Sequence, residues 1–249
     1  MCIILDSMKM KFLFSIMLAM FAAFSMSVLP VMAGQPHDGP EKKENPDKGW
    51  GIGISAGYAY NMLSIPDAYD YDRHYSAGDG FYVAIPVKYN FNDWFALSGE
   101  VAAVSKNYSS YRSMQMMAYP WEKVENYYLS VPVYAQFSFG GKKLRGFVNA
   151  GIYAGAWLYS HRQGESLGPF DSVLYPYDEA MPFDSRRDNR FDAGLLAGLG
   201  LKYRAASCVE IFAEGRYMYA LTDMQKQYRG HIPRYSNTMV VQAGAVFMF

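Results

Sequence analysis

The stretch Tyr127–Phe139, YYLSVPVYAQFSF, alternates between two kinds of side chain almost without fault. Tyr127, Leu129, Val131, Val133, Ala135, Phe137 and Phe139 share one face; Tyr128, Ser130, Pro132, Tyr134, Gln136 and Ser138 share the other. A period of two is the signature of a β-strand with one apolar face. Helical periodicity is poor elsewhere too. The same reading finds strands at Trp50–Met62, Phe81–Phe91, Phe95–Lys106, Val148–Leu158, Phe191–Tyr203, Val209–Leu221 and in the closing VVQAGAVFMF, Val240–Phe249. That makes an all-β chain of eight antiparallel strands, the smallest usual count for a closed up-and-down transmembrane β-barrel.

The connections carry separate information. Strands two and three are joined by FNDW, four and five by GGKK, and six and seven by AAS, all tight turns. The other connections are several times longer than ordinary hairpin loops. Short and long alternate strictly, and both chain ends fall on the short-turn side, as in outer-membrane barrels.

Composition decides which face meets which solvent. A water-soluble barrel would turn its apolar face inward and a charged face outward. Here the polar faces carry mainly Gly, Ala, Ser and Asn, and the chain has 22 Gly with only 18% charged residues, too few charges for eight water-exposed faces. Small residues suit a crowded lumen, so the apolar faces are expected to meet lipid. Aromatics flank those faces near both ends: Trp50, Phe91, Phe95, Phe139, Tyr203 and Phe249 at the turns, Tyr58, Tyr60, Tyr159, Tyr217 and Tyr219 toward the loops. Rings settle at the bilayer interface, which predicts two girdles and accounts for a chain that stops on an aromatic.

The front end is a different physical object. Lys9 and Lys11 precede the apolar run Phe12–Val28, then small residues at Val31 and Ala33. This predicts a signal peptide over 1–33, a flexible periplasmic lead-in over 34–49 rich in Pro, Lys, Glu and Asp, and a barrel over 50–249. No later window is apolar for long enough to make a helical span. Cleavage would remove Cys2 and leave Cys208 alone, so neither a disulfide nor a paired-thiol metal site is expected. Balanced charge, 23 basic against 23 acidic residues, argues against nucleic acid as a partner.

The segments YYLSVPVYAQF and FVNAGIYAGAWL and the ending VVQAGAVFMF resemble the PorT-like outer-membrane barrel family, of the small OmpA/OmpX type. The resemblance spans roughly residues 50–249. It implies a Gram-negative outer-membrane location and, for some members, a part in protein secretion. The final strand, ending on Phe249, is similar to the sorting signal read by the barrel assembly machinery, which would make that machinery and outer-membrane lipid its partners.

Function is less legible. The inward faces collect Lys88, Glu100, Lys106, Lys202, Glu210, Glu214 and Arg216. In so narrow a barrel Glu100, Glu210 and Glu214 should pair with Lys88, Lys202 and Arg216, either as a plug or as a narrow ion or proton path. Pro86 and Pro132 fall in mid-strand, each removing a ladder donor, and a bulge at each is the expected remedy. His74, with Asp70 and Asp72 nearby, is the candidate for a rim enzyme of the lipid acyltransferase or protease type, but no spacing dictates a triad and no cofactor is called for. The long loops PDAYDYDRHY, NYSSYRSMQMMAYPW and LYPYDEAMPFDSRRDNR are dense in Tyr and Arg, as binding surfaces are, and could equally fold on one another. A non-enzymatic surface-binding, structural or secretion-accessory role is expected, with a small pore or a barrel enzyme as the alternatives.

Overall fold

The computed structural model describes residues 49–65, 73–112, 120–168, 173–226 and 232–249. The expected signal peptide and, apart from Gly49, the lead-in lie outside the described residues. The strands are β1 (Gly49–Ser64), β2 (Arg73–Asn90), β3 (Phe95–Ser105), β4 (Tyr108–Arg112), β5 (Trp121–Gly140), β6 (Leu144–Leu167), β7 (Leu174–Ala180), β8 (Phe191–Ala206), β9 (Val209–Ala220) and β10 (Tyr235–Met248). Every pairing is antiparallel. β4 resumes β3 after Lys106 and Asn107, and β7 is an added strand outside the ring. Eight staves therefore close on themselves, β10 pairing with β9 on one side and β1 on the other.

The pattern is inside out. Ile54, Ile152 and Leu199 face outward at 68%, 61% and 68% exposure, whereas Glu100, Lys106 and Arg216 are 2%, 1% and 3% exposed. Nothing in water would stabilise such an arrangement, because exposed apolar surface and buried charge are both unfavourable there. Lipid outside and paired charges inside remove both costs.

Small inward residues have a steric reason. The ring of Phe147 lies over Gly200, that of Tyr153 over Gly194 and that of Phe212 over Gly244, and the Glu214 carboxylate occupies the space beside Gly198. A Cβ at any of these glycines would strike its partner, so large and small inward side chains alternate between neighbouring strands.

Neither mid-strand proline is accommodated by a bulge. The β1–β2 register runs on through Pro86, but the two rungs between Ile52↔Val87 and Ser55↔Ala84 are missing. The β3–β5 register runs on through Pro132, with the two rungs between Gly99↔Val133 and Ala102↔Ser130 missing. In each case the lost rungs are those that the absent N–H would close, while the pairs on the other side, Pro86↔Glu100 and Pro132↔Tyr153, remain. Bulges occur elsewhere, at Tyr127/Tyr128 opposite Trp157–Tyr159 and at Arg204/Ala206. The first changes the parity of β6, which puts Trp157 in the lumen and both Leu158 and Tyr159 outside.

The walls also rise unevenly. β2, β4, β5, β6 and β7 continue as one sheet at the long-loop end, with Tyr75↔Ser110, Ser110↔Glu122, Glu122↔Gly164 and Gly164↔Tyr177 in register. Much of what reads as long loop in sequence is strand.

Two outcomes test this description. Ile152→Lys, on the outer face, is expected to cost about 2–4 kcal/mol of stability in phosphatidylcholine bilayers, measured by urea unfolding. Pro86→Ala supplies a donor aimed at Gly53, so the new amide should exchange slowly with deuterium; rapid exchange there would contradict the unbroken register.

Candidate functional site

The lumen is filled in layers. At its middle Arg216, from β9, is held by two carboxylates. Its Nη1 and Nη2 donate to Oε2 and Oε1 of Glu100, both at 2.9 Å, and its Nε and Nη2 donate to Oε1 and Oε2 of Glu214, both at 2.9 Å. The guanidinium fork matches a carboxylate in both directions, which is why arginine rather than lysine suits the position. Glu100 also accepts from the hydroxyls of Tyr82 and Tyr134, and Glu214 accepts from Asn149 Nδ2 (2.9 Å) and Gln242 Nε2 (3.0 Å). The Tyr134 ring lies 4.7 Å from the Arg216 guanidinium carbon. Four neutral donors spread the second negative charge of this layer, so the cluster stays buried with an excess of one carboxylate.

Toward the short turns, Lys88 and Lys202 share Glu210: Lys88 contacts Oε1, and Lys202 Nζ lies 3.5 Å from Oε2. Lys202 also donates to Gln136 Oε1 at 3.4 Å. Toward the loops, Lys106 pairs with Asp192 at 2.6 Å and sits between the rings of Tyr128 and Tyr153, 5.2 and 5.1 Å from their centres. Above it Tyr128 stacks on Trp157, and Phe183 meets Trp157 edge-on. This aromatic layer covers the outer end of the lumen.

The structure thus brings Glu100, Glu214 and Arg216 into one cluster and Lys88, Lys202 and Glu210 into another. Three participants escape a sequence reading. Asp192 is inward by parity, but its partner depends on the register of strands far apart in sequence. Tyr82 and Tyr134 read as packing residues, because a phenol carries no charge to be balanced.

The outer surface carries the aromatics at two levels. At the turn end Trp50 meets Tyr89 (5.0 Å between ring centres), then Phe91, Phe95 and Phe137 continue the row. Phe139, Tyr203 and Phe249 are exposed at the same end, and the Phe249 amide donates to the carbonyl of Trp50. At the loop end Phe81, Tyr127 and Tyr159 form a second row, and Tyr217 and Tyr219 are exposed as well.

The candidate enzyme residues do not assemble among the described residues. His74 packs its ring 5.1 Å from Tyr111, while Asp70, Asp72, His37 and His231 lie outside the described residues. His161 contacts Asp178 through Nε2 at 2.5 Å and lies 3.4 Å from the Tyr159 hydroxyl, on the outer wall. No group of three or more metal-binding side chains occurs among the described residues. The loops make contacts with one another: Asn189 donates to the Asp223 carbonyl (2.8 Å), Lys226 to the Ser185 carbonyl (2.7 Å), and Asp188 bridges Gln225.

Comparison with known proteins gives one family and several solved folds. The model of the outer membrane protein beta-barrel domain matches residues 34–226. Among solved structures, the chain is similar to neisserial surface protein A, with 16% identity over 80% of this chain and 97% of that one, at a TM-score of 0.42. It is similar to the attachment invasion locus protein Ail of Yersinia pestis, with 17% identity, 80% and 99% coverage, and a TM-score of 0.40. OprG from Pseudomonas aeruginosa gives 13% identity, 82% and 98% coverage, and a TM-score of 0.45. No curated protein matches the chain.

Arg216→Ala would strand two carboxylates in the lumen and should cost about 3–5 kcal/mol in urea unfolding, whereas the exposed pair Lys123–Glu125 should contribute about 0–1 kcal/mol.

Proposed function

The chain belongs to the outer membrane protein β-barrel domain family and resides in the bacterial outer membrane, and from that premise we propose a non-catalytic protein whose barrel anchors an external binding surface. The observation that supports this reading is the division of labour along the axis. Among the described residues the lumen is occupied by the Glu100–Arg216–Glu214 clasp and the Tyr128–Trp157–Phe183 layer. Yet the sheet of β2, β4, β5, β6 and β7 extends past the rim. A filled barrel carries nothing across; a raised sheet presents side chains to the exterior.

That sheet exposes Trp121 and Tyr175, large rings with polar handles at low entropic cost, the residue type enriched at contact hot spots. Ordering it by strand pairing removes the entropy that a flexible loop would lose on binding. Lipid packs against the outer face, and the closing strand with Phe249 is the segment that the barrel assembly machinery would read. The second reading is a PorT-like secretion accessory, favoured by the resemblance of YYLSVPVYAQF, FVNAGIYAGAWL and VVQAGAVFMF to that family. In it the same sheet would dock a neighbouring secretion component.

Planar-bilayer recording separates this proposal from a pore: no steady open state is expected, and a stable conductance in the wild-type protein would overturn the anchor reading. Surface binding should fall at least about tenfold in Trp121→Ser/Tyr175→Ser, with heat-modifiable gel migration unchanged. Normal secretion in a strain lacking the gene would remove the second reading.

A further inference from the structure

Charge is distributed unevenly along the lumen. The loop-end layer is neutral, Lys106 against Asp192, and the middle layer has two carboxylates for one arginine. The excess of positive charge lies at the short-turn end, which in this family faces the periplasm. There the β2–β3 and β5–β6 turns and the facing ends of β8 and β9 frame a small recess open to solvent. Lys142, Lys143, Arg145, Lys202 and Arg204 line it, against Asp93 and Glu210. Glu210 is already shared by Lys88 and Lys202, and the five cations of the lining face two carboxylates. Arg145 Nε is shielded from solvent and has no hydrogen-bond partner.

We propose that this periplasmic mouth is a binding site for a multivalent phosphate oxyanion. The surplus of cations over carboxylates in the recess exceeds what one carboxylate could neutralise, whereas a phosphate or pyrophosphate group concentrates several negative charges at one point. Guanidinium forks and mobile ammonium groups are the side chains that recognise such oxygens. Lys202 and Glu210, at the inner end of the recess, are each 7% exposed, so attraction there is less screened than on an open surface.

The layer above decides what happens next. Glu210 and Glu214 are four residues apart on β9, about 13 Å along the strand. An anion seated by Arg145 and Lys202 therefore meets, one layer further in, a closed cluster that carries net negative charge. It is attracted to the mouth and repelled from the middle, so the site holds an anion without conducting it. The oxyanion can come from two sources: a soluble phosphate compound in the periplasm, or the headgroup of a phospholipid in the adjacent leaflet, whose level the Trp50–Tyr89–Phe91 row marks.

The test uses the protein isolated from membranes and reconstituted in phosphatidylcholine nanodiscs, titrated calorimetrically with inorganic pyrophosphate at about 50 mM salt. One saturable site is expected, weakening as salt is raised. Lys143→Gln/Arg145→Gln should lower affinity at least about tenfold. Lys142→Gln/Lys143→Gln, confined to the exposed turn, should lower it about threefold and keeps the test open if the first variant folds poorly. Arg186→Gln, in the external loops, should change nothing. Nanodiscs containing about 30% phosphatidylglycerol assign the source: suppressed pyrophosphate binding means that the headgroup occupies the site, and unchanged binding means a soluble ligand. Absence of saturable binding in the wild type, unchanged affinity in both turn variants, or an equal loss in Arg186→Gln would overturn the proposal.

Discussion

Closure of the hydrogen-bond ladder is the constraint on which everything else depends. In hydrocarbon an unpaired peptide group has no water to turn to, and an open sheet edge would leave a whole row of them. β10 resolves this by pairing with both β9 and β1, from Gly51↔Met248 at the turn end to Ser64↔Tyr235 at the loop end. Every inward and outward assignment follows, because the pleat lets a strand present only one face to lipid. The two prolines show how much interruption the ladder tolerates: each removes two rungs on one side and leaves its register and its other side intact.

A closed ring of eight strands has little interior volume, and that scarcity shapes the lumen. Charges in it are too confined to be solvated separately, so each must be met by an opposite charge or by a cluster of neutral donors. Arg216 illustrates both solutions, with carboxylates on two sides and phenol and amide donors around those carboxylates. The same scarcity explains the glycines. Phe147, Tyr153, Phe212 and Glu214 fit only because the residues opposite lack side chains. Polar pairing and steric fit are therefore one problem, and a change to Gly198 disturbs the ion-pair cluster as directly as a change to Glu214 would.

Side-chain character divides by end: among the described residues the middle holds the Glu100–Arg216–Glu214 clasp, the outer rim an ordered sheet, and the short-turn mouth a surplus of basic side chains. The external loops are tied together through Asn189–Asp223 and Lys226–Ser185, so the raised sheet stands on a braced rim.

Alternation in YYLSVPVYAQFSF, short turns at FNDW and AAS, and the low share of charged residues by themselves determined the number of staves, their direction and which face meets lipid. These are local properties, set by the two-residue period of the pleat and by what each solvent tolerates. The inward location of Lys88, Glu100, Glu210, Glu214 and Arg216 follows from the same parity. Which carboxylate meets which cation was decided by tertiary structure, because it depends on stagger around the barrel, and stagger is set by all eight pairings at once. The Leu158 bulge, which reverses parity in one strand, the union of Lys106 with Asp192, and the phenols that serve Glu100 belong to this second class. So does the continuation of β2 and β4–β7 beyond the membrane: a strand leaving lipid keeps its neighbours but loses its alternation of solvents, and with it the pattern by which sequence reveals a strand.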